Sequence, residues 1–244
     1  MEKQTKKNLL GSCLFFLALF GFQVFAGKLG SYFAAMLSYK QIDPYNKFAS
    51  VSVHHFVQML LTLVVIGVLS KLLKINFNFG FGDKKTGLKY LSVFTGSFLI
   101  IAVIMYAFTH ITKQIPVYDF PLNRNNVAGT LGFQLFLSGP SEEILFRALP
   151  VTMFLYIFGK SIKVHKLITL EVILASLLFS IAHIKWSLAP FTVQADYFQL
   201  VYAFALGTVQ GVTYQKSRSI IYPILMHSFS NVIMVGSGYL FTLL

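Results

Sequence analysis

The chain has 244 residues, of which 56% are hydrophobic and only 11% are charged, far from the composition of a soluble globular domain. The formal net charge of +12 would suit a nucleic-acid-binding protein, but in so apolar a chain the basic residues must first be placed relative to a membrane. Composition therefore excludes a soluble domain, and we expect an integral membrane protein with membrane lipid around it and no nucleic acid as a partner.

Seven apolar runs predict helices, and most are close to the roughly 20 residues that cross a hydrocarbon layer of about 30 Å. They cover residues 9–26, 56–70, 90–111, 127–158, 167–184, 198–214 and 220–244. The fourth run is too long for one straight crossing, and Gly139-Pro140 within it predicts a break or kink, so we expect one bent crossing. Residues 31–40 form either an eighth helix or, as we favour, a segment along the interface.

The first run has two interpretations. Basic residues precede it, and Val24-Phe25-Ala26 at its end is similar to the cleavage site of a secretory signal. At about 18 residues, however, the run exceeds the usual 7 to 15 of a signal core, which favours an uncleaved membrane helix. The run also contains Cys13, the only cysteine, so neither an intrachain disulfide nor a cluster of thiols is expected.

The predicted fold class is all-α, a polytopic membrane helical bundle with seven to eight transmembrane helices. If the N-terminus is cytoplasmic, seven alternating crossings place 13 Lys and Arg inside and six outside, in agreement with the positive-inside rule. We expect one continuous membrane domain in the plasma membrane. Residues 1–125 would supply N-terminal transmembrane helices, and residues 126–244 would form the core that carries the active site.

Three glutamates lie inside the apolar runs: Glu142, Glu143 and Glu171. An ionisable group at the bilayer centre costs about 2.5–3.5 kcal/mol, so each of the three is a candidate functional residue. Glu143 and Arg147 are four residues apart and can pair on one helix face. Glu142 points about 100° away, has no local partner, and can face a polar cavity as a general base.

Two of the six histidines lie towards helix interiors, namely His183 and His227, while His54, His55, His110 and His165 lie at predicted helix ends or in links. Phe179 lies one turn before His183 and can pack against its ring, and Asn231 lies one turn after His227. Together with Glu142, these residues supply what peptide hydrolysis needs: a base for water, donors for the carbonyl oxygen and a proton source.

A metal site is the alternative use of the same residues. Glu142, His183 and His227 would be an open ligand set for a divalent metal such as zinc. The spacing does not support it, because His-Glu-x-x-His is absent and the ligands come from three helices. Both versions stay open, with a metal-free, glutamate-activated water favoured, and no organic cofactor is expected.

The three motifs resemble those of the CPBP family of intramembrane peptidases, which includes type II CAAX prenyl endopeptidases and the bacterial Abi, bacteriocin-processing and immunity proteins. The matching residues, in order on successive helices, are Glu142-Glu143-x-x-x-Arg147, Phe179-x-x-x-His183 and His227-x-x-x-Asn231. The resemblance extends from about Gln134 to Val235 and includes Gly207, Gly211 and Pro223.

The resemblance implies an all-helical membrane fold with a water-accessible cavity facing the cytoplasm or the interface. It implies hydrolysis of a peptide bond in a membrane-associated protein or peptide. Glu142 would activate water with the help of His183, while His227 and Asn231 would stabilise the oxyanion or orient that water. The Glu143–Arg147 pair would hold the helix and the cavity.

Two other functions remain as alternatives. A non-catalytic membrane scaffold or bacteriocin-immunity protein would share the fold, but the intact motif argues against it, because a membrane carboxylate without a catalytic use only costs stability. An ion-coupled or proton-coupled transporter is less favoured, because its polar path should continue through both halves of the chain. Neither the substrate nor the oligomeric state follows from the sequence.

Overall fold

The computed structural model describes residues 2–188 and 190–243 and is mostly helical. In chain order its helices are α1 (Glu2–Ala35), α2 (Ala49–Leu73), α3 (Lys84–Thr112), α4 (Arg124–Phe133), α5 (Gly139–Glu143), α6 (Leu149–Phe158), α7 (Leu170–Ile181), α8 (Tyr197–Ser217) and α9 (Ile221–Leu243). Two π-helical turns, Gln134–Ser138 and Ile144–Ala148, flank α5.

Within the described residues, four helices are long and apolar enough to cross a membrane. They are Gly11–Ala35, Ala49–Leu73, Lys84–Thr112 and Ile221–Thr242. The prediction of an integral membrane protein built as a helical bundle is confirmed at this level. The number of seven to eight crossings stays a prediction, because the remaining helices are shorter, interrupted or less apolar.

The fourth apolar run continues through Gly139-Pro140 without a break. Gly139 has ordinary right-handed helical angles, and a π-helical turn stands immediately before it. Pro140 lacks an N–H and its ring crowds the preceding turn, so a widened turn accommodates it while the chain remains helical. The helix is therefore not broken at Gly139-Pro140, and the kink that was the other expectation stays a prediction. The two consecutive glutamates lie in a short α segment between two widened turns.

A two-stranded antiparallel sheet adds a short hairpin to the predicted helical bundle. β1 (Lys185–Leu188) pairs with β2 (Phe191–Gln194), with Lys185 opposite Gln194. Trp186, Thr192 and Val193 favour strands, and Pro190 between the strands excludes a continuous helix. The helix predicted over 167–184 consequently ends at Ile181, before the hairpin begins.

The segment between the first two helices is also different from the prediction. α1 continues to Ala35, and turns follow it, so residues 31–40 do not form an eighth helix. α2 begins at Ala49, seven residues before the predicted start at 56. Asp43 explains this early start, because its buried carboxylate accepts from the backbone N–H groups of Lys47, Phe48 and Ala49 at 2.7–2.9 Å.

Helices α7 and α8 lie close together at Gly207 and Gly211. A Cβ at Gly211 would lie 2.9 Å from Val172 of α7, and one at Gly207 would lie 3.3 Å from the Phe179 ring. α5 and α9 approach just as closely, since a Cβ at Gly139 would lie 2.8 Å from the carbonyl oxygen of Ile224. These contacts bring polar side chains of α5, α7, α8 and α9 within reach of one another.

The cap at Asp43 generates a prediction about stability and pH. Burial raises the pKa of Asp43, while its three backbone donors and Lys47 lower it, and the net pKa lies below its usual value. The stabilisation is thus present above the unfolded-state pKa and is lost as pH falls through the folded-state pKa. We expect Asp43→Ala to cost about 0.5–2 kcal/mol at neutral pH, and less in acid, by thermal unfolding in detergent.

Asp119→Ala is the matched control, because that carboxylate is exposed and pairs with the Lys47 ammonium at 2.8 Å across a flexible surface contact. Equal loss of stability in the two variants would contradict the capping role of Asp43.

Candidate active site

The buried carboxylate of Glu143 joins two helices. Its Oε2 lies 3.1 Å from Nε of Arg147, one turn later, and its Oε1 lies 2.7 Å from Nδ1 of His227 on α9. All three side chains are nearly inaccessible to solvent. The predicted Glu143–Arg147 pair is therefore confirmed. Because a carboxylate only accepts, His227 carries a hydrogen on Nδ1 and presents Nε2 on the opposite side of its ring.

Arg147 extends the contact to two more helices. Its Nη2 donates to Oε1 of Gln210 on α8, and its guanidinium carbon lies 4.0 Å from the centre of the Phe179 ring on α7. An arginine so placed combines a charge-assisted hydrogen bond with stacking on an aromatic face. The pair thus anchors the helices around the site as well as neutralising Glu143.

Glu142 has a different environment from its neighbour. Its side chain is 20% exposed, with Oε1 at 3.9 Å from Nε2 of His55 and Oε2 at 3.7 Å from Nε2 of His227. These separations are too long for hydrogen bonds, although they are short enough for electrostatic attraction to a protonated ring. The carboxylate can therefore accept a hydrogen from water, as expected from the 100° offset between the two glutamates.

His183 follows the last turn of α7, and its orientation is fixed by Phe179. Nδ1 of His183 lies 2.9 Å from the carbonyl oxygen of Phe179, and the two rings meet edge to face at 4.8 Å. Because a carbonyl oxygen only accepts, Nδ1 carries the hydrogen, and Nε2 of the neutral ring is an acceptor. The predicted packing of Phe179 against His183 is confirmed.

Asn231 joins α9 to the turn before α5. Its Nδ2 donates to Oε1 of Gln134 at 2.8 Å and to Oγ of Ser138 at 3.1 Å, both in the π-helical turn before α5. An amide nitrogen has two hydrogens, so this arrangement uses both. Asn231 therefore supports the wall of the site, and its expected role toward the oxyanion or the attacking water stays a prediction.

One cavity brings the predicted residues together. It has a volume of about 270 Å³ and is lined by Glu142, His183, His227 and Asn231, together with His55, Phe179 and Gln210. The volume is slightly below the roughly 300–1,000 Å³ of typical ligand pockets, so it suits a peptide group and a water molecule.

Sequence reasoning missed His55 and Gln210. His55 was assigned to a helix end because the apolar run was counted from residue 56, whereas α2 begins at Ala49. Two consecutive histidines directly before an apolar run were the available signal. Gln210 is almost fully buried beside Gly211, and a polar side chain next to a glycine of a close helix contact could have identified it.

The proposed metal ligands do not form a metal site. Within residues 2–188 and 190–243, no group of three His, Cys, Asp or Glu side chains is arranged to hold a metal ion. Nδ1 of His183 and Nδ1 of His227 are occupied by Phe179 and Glu143, so each ring offers a single nitrogen to the cavity.

The carboxylate of Glu142 can accept a hydrogen bond from water, and it lies among imidazoles in a bundle of apolar helices. This combination points to the class of intramembrane hydrolases. A family model described as Type II CAAX prenyl endopeptidase Rce1-like matches residues 124–233, a range that contains all three motifs. Over this segment the chain is similar to the CPBP and CAAX family of intramembrane proteases.

Comparisons with curated proteins and with solved structures give no significant match. At the level of that family, the similarity supports an intramembrane CAAX-type endopeptidase that acts on a membrane-associated peptide in a lipid environment. His55 lies outside the matched range, so it is a contribution of α2 to the site that the family model does not cover.

The buried pair generates a second prediction. Arg147→Met removes the cation and leaves Glu143 buried, and loss of one partner of a buried ion pair costs about 3–5 kcal/mol. We expect a large fall in the thermal unfolding temperature in detergent. Arg147→Lys keeps the charge without the planar fork that reaches Gln210, so its stability should be intermediate. A methionine variant as stable as the wild type would show that the pair does not hold the site.

Proposed function

We propose that the protein is a glutamate-dependent intramembrane endopeptidase in which Glu142 activates a water molecule for attack on a peptide carbonyl. The observation that carries this proposal is the contrast between the two neighbouring carboxylates. Glu143 lies 3.1 Å from Nε of Arg147 and accepts a hydrogen bond from Nδ1 of His227, whereas Glu142 faces the cavity with oxygens that are 3.7 and 3.9 Å from the nearest imidazole nitrogens.

In the first step, Glu142 takes a proton from water while the water oxygen forms a bond to the carbonyl carbon. The acceptor nitrogen Nε2 of His183 takes a hydrogen bond from the remaining O–H of that water and orients it. The phenyl ring of Phe179 packs against His183 and its carbonyl oxygen accepts from Nδ1, so His183 is held in one rotamer and needs little reorganisation at the moment of reaction.

The carbonyl oxygen becomes an oxyanion, and His227 supplies its donor. In the protonated form, His227 donates from Nδ1 to Glu143 and from Nε2 into the cavity. Two carboxylates, one guanidinium and one imidazolium then balance in charge, which suits an apolar surrounding. When the C–N bond breaks, the proton held by Glu142 moves to the departing amine nitrogen and the carboxylate is restored.

The remaining polar residues position this machinery. Asn231 ties α9 to Gln134 and Ser138, and so supports the widened turn that leads into Glu142. His55 approaches Glu142 from α2 and limits the orientation of its carboxylate. The scaffold alternative would need neither a carboxylate open to water nor a histidine on each side of it. The cavity itself does not select a prenylated over an unmodified substrate.

Comparison of peptide termini tests the proposal without a guess about the substrate. Wild type, Glu142→Gln and Glu171→Gln would be expressed at matched levels in membranes, and all peptide termini compared by mass spectrometry. We expect termini that depend on the wild type to fall by about a hundredfold or more in Glu142→Gln, since a general base contributes about 10²–10⁴.

Glu171→Gln is the matched control. Glu171 is also a buried carboxylate, but it accepts from Ser161 and Gln215 away from the cavity. The peptide termini found with Glu171→Gln should match those found with the wild type. If Glu142→Gln produces the same termini as the wild type, the glutamate mechanism is wrong and the scaffold alternative takes its place.

A further inference from the structure

The hairpin between α7 and α8 has one apolar and one polar face. Trp186 pairs with Val193 across the hairpin, and Phe191 lies two residues before Val193, so these three side chains share a face. The other face carries polar or charged side chains, namely Lys185, Ser187, Thr192 and Gln194. A strand pair with this alternation presents one face that favours an apolar partner.

The apolar face is left uncovered by the described residues of the chain. Phe191 is 75% exposed, Val193 55% and Trp186 37%. A two-stranded hairpin is at best marginally stable alone in water, and a contiguous exposed apolar patch marks a surface with a partner. We therefore expect this face of the hairpin to contact something outside the chain.

The hairpin lies alongside α1, one of the helices long enough to cross the membrane. The Lys28 ammonium is 5.6 Å from the centre of the Trp186 ring, and Gln23 of α1 donates to the carbonyl oxygen of Leu178 on α7. Beyond Lys28, α1 continues to Ala35, a distance of about 10 Å at 1.5 Å per residue. The hairpin is therefore at a level inside the membrane span of α1, towards one end of it.

The length of α7 indicates the same depth. This helix follows the lysine-containing 159–169 link, and its 12 residues span about 18 Å, whereas the hydrocarbon layer is about 30 Å thick. The hairpin that follows α7 has two open edges, and hydrocarbon cannot pair with their free N–H and C=O groups. Headgroups and interfacial water can pair with them, so the hairpin suits the interface and not the centre of the bilayer.

The side chains around the hairpin are typical of a membrane interface. Tyr197 and Phe198 follow it on α8, Tyr32 lies one turn after Lys28 on α1, and all three aromatic side chains are exposed. Lys28 and Lys185 are exposed as well. Aromatic rings concentrate at the level of the headgroups, and lysine ammonium groups extend towards them. The apolar face of the hairpin thus adjoins the lipid-facing surfaces of α1 and α8.

We propose that the β1–β2 hairpin is an interfacial membrane anchor, with Trp186, Phe191 and Val193 in the upper acyl chains and the polar face towards the headgroups. Amphipathic helices in the interface are buried to about 5–10 Å, which is comparable to the depth of Lys28 below the end of α1. The partner of the apolar face is the bilayer itself. Because His183 lies between α7 and β1, the anchor also holds this end of the active site near the interface.

Trp186 is the only tryptophan, so its fluorescence reports the position of the hairpin without an added label. The full chain would be reconstituted into phosphatidylcholine vesicles whose acyl chains carry bromine either next to the headgroup or near the methyl end. Bromine quenches the fluorescence of nearby indole rings. We expect quenching by the shallow bromine to exceed quenching by the deep bromine at least about twofold.

Two neighbouring substitutions test the role of the apolar face. Phe191→Asp places a carboxylate on the apolar face, where lipid makes it costly, and Thr192→Asp places one on the polar face. Phe191→Asp should reduce quenching by the shallow bromine at least about twofold, whereas Thr192→Asp should leave it unchanged. Both positions are exposed, so the two variants should unfold in detergent at the temperature of the wild type.

Weak quenching by both lipids, stronger quenching by the deep bromine, or equal effects of the two substitutions would overturn the inference. Quenching that falls as the ratio of protein to lipid rises would assign the apolar face to a second copy of the chain, which would overturn it as well. The proposed function is tested separately, because the fluorescence measurement requires no cleavage.

Discussion

The rest of the site depends on the contact of the buried Glu143 carboxylate with Arg147 and His227. Taking a carboxylate out of water costs several kcal/mol, so the contact is stable only while both partners are in place. It therefore fixes α5 against α9, and the guanidinium carries the constraint to Gln210 on α8 and Phe179 on α7. The same hydrogen bond sets the tautomer and orientation of His227, so the element that holds the bundle together also prepares a donor for catalysis.

This arrangement leaves the carboxylate of Glu142 free of the buried pair and available to activate water. Two adjacent carboxylates in an apolar bundle would repel each other, and each costs free energy when it is taken out of water. The helical offset, however, directs only one of them into the buried pair. The widened turns on either side of α5 adapt the helix around Pro140 and keep both glutamates in regular geometry between them. A site of this kind keeps one incompletely satisfied carboxylate, which is a cost to stability that hydrolysis requires.

The sequence allowed the prediction of what depends on local spacing. The membrane bundle followed from apolar runs, and the contacts Glu143–Arg147 and Phe179–His183 followed from a separation of one helical turn. Contacts between distant segments could not be predicted from local spacing. Asn231 donates to the turn before α5, far away in the sequence. His55 reaches the site because α2 begins early, and that start depends on the Asp43 cap in the preceding link. The hairpin was missed because two four-residue strands are too short to stand out beside an apolar helix.

The division of work between the two glutamates is the central claim, and thermal unfolding of Glu142→Gln and Glu143→Gln in the same detergent tests it most directly. Glu143→Gln should lower the unfolding temperature strongly, because it leaves the buried Arg147 without its anion. Glu142→Gln should lower the unfolding temperature much less, because it breaks no hydrogen bond to Arg147 or His227 and loses only an attraction across 3.7 Å. Equal destabilisation by the two substitutions, or a larger loss from Glu142→Gln, would contradict this account.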